Sequence, residues 1–169
     1  KLGLRAGDHS ILRDFNLRLE PGELFGLLGP IGSGKSSVLK LIAGMIPAFQ
    51  GSAAVDGFDL ATQSDAARAR LGYMPGYLGA FDDLKVGGYL EFFARACNVD
   101  PAAVAGRIEA LLKLAGLEDR AGAYLSSLDA EARHRLAVVK TAVHNPRVLL
   151  FDDPAAGLPC AARVRLRER

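Results

Sequence analysis

Gly29-Pro30-Ile31-Gly32-Ser33-Gly34-Lys35-Ser36-Ser37 fits the pattern G-x-x-x-x-G-K-[ST], and the reading of this stretch decides the fold. Upstream, Glu23-Leu24-Phe25-Gly26-Leu27-Leu28 is apolar and short, as one buried parallel strand would be. Downstream, Val38-Leu39-Lys40-Leu41-Ile42-Ala43 carries apolar residues at helical spacing and is closed by Gly44. Strand, glycine loop and helix together predict a phosphate cradle. Glycines let successive backbone N–H groups turn inward, and the helix start adds its positive end. In that reading Lys35 places a compact charge on the β- and γ-phosphates of a nucleoside triphosphate. The Ser36 hydroxyl takes one position on Mg²⁺.

The second chemical signal is Val148-Leu149-Leu150-Phe151 followed by Asp152-Asp153-Pro154. The four apolar residues predict a central strand whose carboxyl end presents Asp152, where open α/β sheets put their ligands. Asp152 can hold Mg²⁺ through its water shell, and Asp153 can face the γ-phosphate and orient a water. Alone this is an acidic turn after a strand; with the phosphate loop upstream it reads as a site.

Before and between the two signals the texture varies. Phe15, Leu17 and Leu19 alternate with polar residues before Pro21-Gly22, which predicts a β-hairpin over residues 10–28. Gly51 to Val55 predicts a strand ended by Asp56-Gly57, residues 62–70 a short helical turn, and Leu71 to Met74 a buried strand broken by Pro75-Gly76. From Phe81 to Leu128 the pattern is helical. Val86, Leu90, Phe93 and Ala94 share a face, and Pro101 opens a helix with a stripe of Val104, Ile108, Leu111, Leu112 and Ala115 up to Gly116. Tyr89, Phe92 and Phe93 read as core. A further helix is predicted over Ala130 to Val143, with His134 and His144 as exposed helix residues.

Composition narrows the class. The chain has 169 residues, is 50% hydrophobic, and carries 21 basic against 19 acidic side chains for a net charge of +2. That is enough for one domain with a core, and the balanced charge gives no case for a nucleic-acid partner. Arg163, Arg165, Arg167 and Arg169 alternate with apolar or acidic residues and read as a solvated helix end. Cys97 and Cys160 have no framework or ligand spacing and read as reduced thiols of an intracellular protein. No run is long and apolar enough to span a bilayer, so a membrane role would be borrowed from a partner.

Several phrases make the whole chain resemble the nucleotide-binding domain of an ATP-binding cassette (ABC) ATPase. They are Pro21-Gly22-Glu23-Leu24-Phe25-Gly26-Leu27-Leu28-Gly29-Pro30, Leu71-Gly72-Tyr73-Met74-Pro75, Phe81-Asp82-Asp83-Leu84-Lys85-Val86, and His144-Asn145-Pro146 through Asp152-Asp153-Pro154. The resemblance is strongest to stand-alone ATPase subunits that pair with a separate permease. It implies an α/β fold: a P-loop core with a mostly parallel sheet, an N-terminal antiparallel β edge and an inserted α-helical subdomain. Residues 1–169 are then a single, incomplete domain, with core and β edge at about 1–80 and 146–169 and the helical subdomain at about 81–145. The start at Lys1 without a methionine is read as that of a fragment. The resemblance also implies ATP and Mg²⁺ as ligands, with Gly29 through Ser37 on the phosphates, Ser36 and Asp152 on the metal, and Lys35 and Asp153 as catalytic groups. It further implies a second ABC domain closing head to tail, a membrane permease partner, and a cytoplasmic position against the inner face of the membrane.

The chain departs from that pattern at stated positions. The aromatic residue that stacks on adenine falls near Ala6, and the glutamine after Tyr-x-Pro is Gly76. The Leu-Ser-Gly-Gly signature aligns with Leu128-Asp129-Ala130-Glu131, whose carboxylates would repel a γ-phosphate. Leu125-Ser126-Ser127 is a competing alignment that keeps a serine but needs three more residues before the helix. The catalytic glutamate is Asp153, which draws the carboxylate back by about 1.5 Å, and a misplacement of about 1 Å can cost on the order of a hundredfold in rate. Pro159 stands at the dimer-contact aspartate, and the 169 residues stop short of the position where the family carries its switch histidine. Binding is therefore expected with weak hydrolysis. Two alternatives are a non-hydrolysing, ATP-dependent regulatory module and a soluble ABC protein acting on the ribosome or DNA. A P-loop phosphotransferase suits the phrases around residues 71–86 less well.

Overall fold

The computed structural model describes residues 2–6, 9–46, 50–76, 81–156 and 158. The fold is mixed α/β, with parallel and antiparallel strands and helical insertions, as the sequence predicts. The chain divides into two compact units, residues 1–71 and 72–169.

In the first unit β1 (Leu2–Ala6) pairs antiparallel with β2 (His9–Phe15), matching Leu2 with Phe15 and Ala6 with His9. The hairpin thus lies earlier than the predicted 10–28. The predicted turn at Pro21-Gly22 does form: Glu23 N–H donates to the Glu20 carbonyl at 3.1 Å, and Gly22 has φ 87°. The flanking segments, however, are not strands. Residues 16–20 and 23–28 have no strand pairing, and Leu24 and Leu28 are 102% and 93% exposed. Apolar β-formers need a neighbouring strand to take up their N–H and C=O groups, and the described residues of this unit place none beside 23–28.

The helix after the glycine loop is α1 (Lys35–Ile42), ended by Ala43 and by Gly44 at φ 69°. Val38 and Leu41 are its buried residues. Next, β3 (Ala54–Val55) and β4 (Phe58–Asp59) form a hairpin around Asp56 (φ 50°) and Gly57 (φ 83°), a turn these residue types favour. The short α2 (Ser64–Ala69) follows.

The second unit holds most of β5 (Leu71–Met74) and the helices α3 (Val86–Ala96), α4 (Pro101–Ala115) and α5 (Ala130–Thr141), then β6 (Val148–Phe151). Helix α4 begins with Asp100 accepting from Ala102 N–H, has Pro101 in its first turn and stops at left-handed Gly116. Asp129 caps α5 by accepting from Ala132 N–H at 2.7 Å. The core joins Val86, Tyr89, Leu90 and Ala94 of α3, Val104, Leu111, Leu112 and Ala115 of α4, and Ala132, Leu136 and Val139 of α5. Phe81, Tyr89 and Phe93 meet edge to face at centroid separations of 5.0–6.0 Å. Phe92 does not join this core as predicted. It is 54% exposed at the edge of the inward face, which runs through Val86, Tyr89, Leu90 and Ala94, and it meets the Phe93 ring edge to face at 5.2 Å.

β6 lies beside β5, and the N–H of Asp152, one residue past β6, donates to the carbonyl of Met74, the last residue of β5. Both strands therefore end at the same edge and run parallel, with the three helices in the crossover between them. β6 is less enclosed than a central strand: among the described residues it has one neighbour, and Leu149 is 45% exposed.

Helix α5 is buried on two faces. Ala132, Leu136, Val139 and, just past its end, Val143 enter the helical core; His134, Ala137 and Thr141 form a second buried stripe at helical spacing. The second stripe reaches the strands at Gly72, where an added Cβ would collide with the Thr141 carbonyl oxygen and lie 3.0 Å from Leu149 Cδ2. Gly72→Ala is expected to lower stability by about 1–3 kcal/mol, read as a lower denaturant midpoint at unchanged slope. A second expectation concerns pH. Burial pushes the Tyr89 phenol up to about 12 from 10.0. The folded chain thus keeps this proton where the unfolded chain has lost it, so stability falls as pH rises from 10.0 towards about 12. In Tyr89→Phe the alkaline unfolding profile should be shallower over that window.

Candidate functional site

Residues 29–34 run directly into α1. Gly32 and Gly34 have φ of 81° and 87°, and Gly34 is the N-cap, with an added Cβ meeting the Ile11 carbonyl at 3.2 Å. Only glycine fits this position without strain. The start of α1 has no side-chain cap and no acidic residue in its first turn. Its N–H groups and positive end are thus left without a carboxylate partner from the first turn, which suits an anion.

Lys35 folds back over the same loop. Its Nζ donates to the carbonyls of Gly29 at 2.8 Å and Pro30 at 2.7 Å, with Ser33 Oγ at 3.4 Å. The ammonium is held at the loop by oxygens that a phosphate oxygen can replace. Ser36, next along α1, is exposed, Ser37 is half-buried, and Ile31 at the loop tip is fully exposed.

The Asp152 end of β6 is built within the second unit. Asp152 is buried, while Asp153 beside it is exposed. Asp153 has φ 46°, a left-handed conformation that aspartate tolerates better than most side chains, and its carbonyl accepts from Ala156 N–H at 2.8 Å. The Tyr73 hydroxyl donates to Asp152 Oδ2 at 3.3 Å. Burial first, then the charge of Asp152 and this hydrogen bond, push the Tyr73 phenol up to about 12.

His134 enters from the other side. It is 5% exposed, and its Nε2 is hydrogen-bonded to the carbonyl of Pro154. The sequence reading of His134 as exposed is corrected: it belongs to the second buried stripe of α5, a His-Ala-Thr face whose polar composition hides its burial. His144 is corrected as well. It lies past the end of α5 and is half-buried.

Arg107 of α4 closes the other end of α5, donating to the Val143 carbonyl at 2.8 Å and the Ala142 carbonyl at 2.9 Å, with Asn145 Oδ1 at 3.3 Å. It thereby anchors the turn that leads into β6.

At the departing positions, the carboxylate of Asp129 is engaged as the α5 cap, Ala130 opens that helix and Glu131 sits in its first turn. Leu125 to Ser127 form a short 3₁₀ turn ahead of it. An added Cβ on Gly76 would lie 3.3 Å from the Asp152 carbonyl oxygen. Ala6 is in β1, and Pro159, Cys160 and the arginines at 163, 165, 167 and 169 lie outside the described residues. The loop and the Asp152 turn belong to the first and second unit, respectively. No helix among the described residues is long and apolar enough to cross a membrane.

The chain is similar to several known proteins. The Nod factor export ATP-binding protein I of Cupriavidus metallidurans is 34% identical over 163 residues, which is 96% of this chain and 54% of that protein. The ABC transporter ATP-binding protein NatA of Bacillus subtilis is 32% identical over 158 residues, 93% of this chain and 64% of that one. The sulfate/thiosulfate import ATP-binding protein CysA of a Synechocystis strain is 35% identical, over 95% of this chain and 45% of its own length. The chain spans about half the length of such curated relatives. A solved structure of an ATP binding subunit of an ABC transporter shares the fold, with a TM-score of 0.82 at 24% identity, covering 99% of this chain and 70% of that one. The ABC transporter family description matches residues 12–156, so this chain belongs to the ABC transporter family, within its ATP-binding domains.

Proposed function

We propose that this chain binds Mg-ATP as the ATP-binding part of an ABC transporter and that its own turnover is slow. The observation that carries the reading is the glycine loop that turns into an uncapped helix start with the Lys35 ammonium held against it. A triphosphate supplies oxygens that accept the hydrogen bonds which the ammonium and the α1 N–H groups are arranged to donate. The chemistry of the donors suits a hard cation as well: the exposed Ser36 hydroxyl and the Asp152 carboxylate each offer oxygen, and Mg²⁺ takes only one or two oxygens from protein beside phosphates and water.

In this reading Lys35 leaves the Gly29 and Pro30 carbonyls and pairs with β- and γ-phosphate oxygens. Gly29 through Ser37 surround the phosphates, and Ser36 and Asp152 hold the metal. Bound Mg²⁺ neutralises charge on the phosphate oxygens. Asp153, exposed beside buried Asp152, orients the attacking water. Its short side chain limits the reach of that carboxylate, and Gly76 has no side chain to assist. A second ABC domain and a membrane permease complete the assembly, with this chain on the cytoplasmic side of the membrane. Residues 1–80 with 146–169 as core, and 81–145 as the part that couples to the permease, is the proposed division.

A second reading is a nucleotide-gated regulatory module without hydrolysis. It is favoured by Asp129, whose carboxylate is committed to capping α5 at the position where the signature serine would contact a partner's phosphate.

Titration with Mg-ATP, with phosphate release followed in the same samples, tests both. Lys35→Ala should weaken binding by on the order of tenfold or more, the scale of a lost hydrogen bond to charge. Absence of binding by the parent chain would overturn the reading. Asp153→Glu, which restores the carboxylate's reach, should raise phosphate release by on the order of tenfold; an unchanged rate would show that reach is not what limits turnover.

A further inference from the structure

The carboxylate of Asp152 is buried, and the torsion that sets its plane is intrinsically soft. The terminal sp³–sp² torsion of an aspartate has a broad, two-fold profile rather than sharp wells. Something outside the residue must fix that plane if the oxygens are to meet a cation with the near-ideal geometry Mg²⁺ demands. Strand β5 supplies two contacts of the right kind. Met74 accepts the Asp152 N–H at 2.9 Å and so fixes the backbone, and the neighbouring Tyr73 places its hydroxyl 3.3 Å from Oδ2. The phenol is rigid, with two rotatable bonds, and its ring is half-buried on the strand. The peptide of Asp152 is also approached by Gly76, close enough that a side chain there would press on the Asp152 carbonyl.

We infer that Tyr73 is a positioning residue for Asp152: its hydroxyl sets the rotation of the carboxylate and thereby tunes how tightly this chain takes up Mg²⁺ with nucleotide. The inference rests on the Mg-nucleotide reading above and adds to it a residue outside both the glycine loop and the Asp152-Asp153 pair. A donor on one oxygen orients the group while leaving its charge in place, so the effect falls on the metal and not on the nucleotide itself.

The test compares the parent chain, Tyr73→Phe, Asp152→Ala and the double variant. Nucleotide binding is measured by calorimetry in excess EDTA and then at fixed ATP across a Mg²⁺ series. Tyr73→Phe, which removes one oxygen and keeps the ring, should need about fivefold to tenfold more Mg²⁺ for half-saturation. Its affinity in EDTA should stay within about twofold of the parent, a separation that a general loosening of the fold does not produce. In the Asp152→Ala background the same substitution should change nothing further, because the two side chains act as one unit. Equal Mg²⁺ dependence in the parent and Tyr73→Phe overturns the inference, as does a shift that persists without Asp152. Parent protein that binds nucleotide in neither condition removes the Mg-nucleotide reading and this inference with it.

Discussion

The carbonyl of Thr141 lies so close to Gly72 that no side chain fits between the end of α5 and strand β5. Much of the second unit depends on this approach. It seats a helix that is already committed to the helical core through Ala132, Leu136 and Val139 onto the strand pair by its other face. The chain then leaves α5 through a turn whose carbonyls Arg107 caps, enters β6, and delivers Asp152 beside Met74. Each step is held by backbone groups, which tolerate little adjustment, so the position of one carboxylate is set by the packing of a whole helix.

Polar satisfaction shapes the rest. The turn after β6 is gripped by Tyr73 at Asp152 and by His134 at the Pro154 carbonyl, so its polar groups are not left for the low-dielectric interior to penalise. In the first unit Lys35 plays a comparable part, its ammonium satisfied by the Gly29 and Pro30 carbonyls of the loop it serves. A phosphate taken up there, as proposed, would exchange hydrogen bonds instead of creating them from nothing, which makes the net gain smaller than the charge alone suggests.

Much of this was legible from local pattern. The G-x-x-x-x-G-K-S spacing announces the loop, Pro101 and Gly116 mark both ends of α4, and Asp56-Gly57 marks the small hairpin. These succeed because their causes are local: a missing N–H, a left-handed backbone, a first-turn cap. The errors share one cause. Leu24 to Leu28 reads as a strand, yet strand formation needs a partner that no local pattern supplies. His134 reads as surface because its burial comes from the second face of α5, where His134 meets the Pro154 carbonyl and Thr141 meets Gly72 of β5. Phe92 reads as core because it follows Tyr89 at helical spacing, yet the buried face of α3 runs through Val86, Leu90 and Ala94 and leaves Phe92 at its edge. Tyr73 gave no sign of its bond to Asp152, 79 residues away in sequence.

By itself the sequence determined the chemistry on offer: a glycine loop of the phosphate-binding pattern, a helix to follow it, a strand ending in paired aspartates, and the type and approximate span of the main helices. These follow from backbone conformational preferences and side-chain periodicity, which act over a few residues. Only the tertiary structure decided which of those groups are buried, which are bonded to one another, and which apolar runs find a strand to pair with. Burial and long-range hydrogen bonds depend on which surfaces meet, and Gly72, His134 and Tyr73 acquire their roles only when α5 and β6 close on β5.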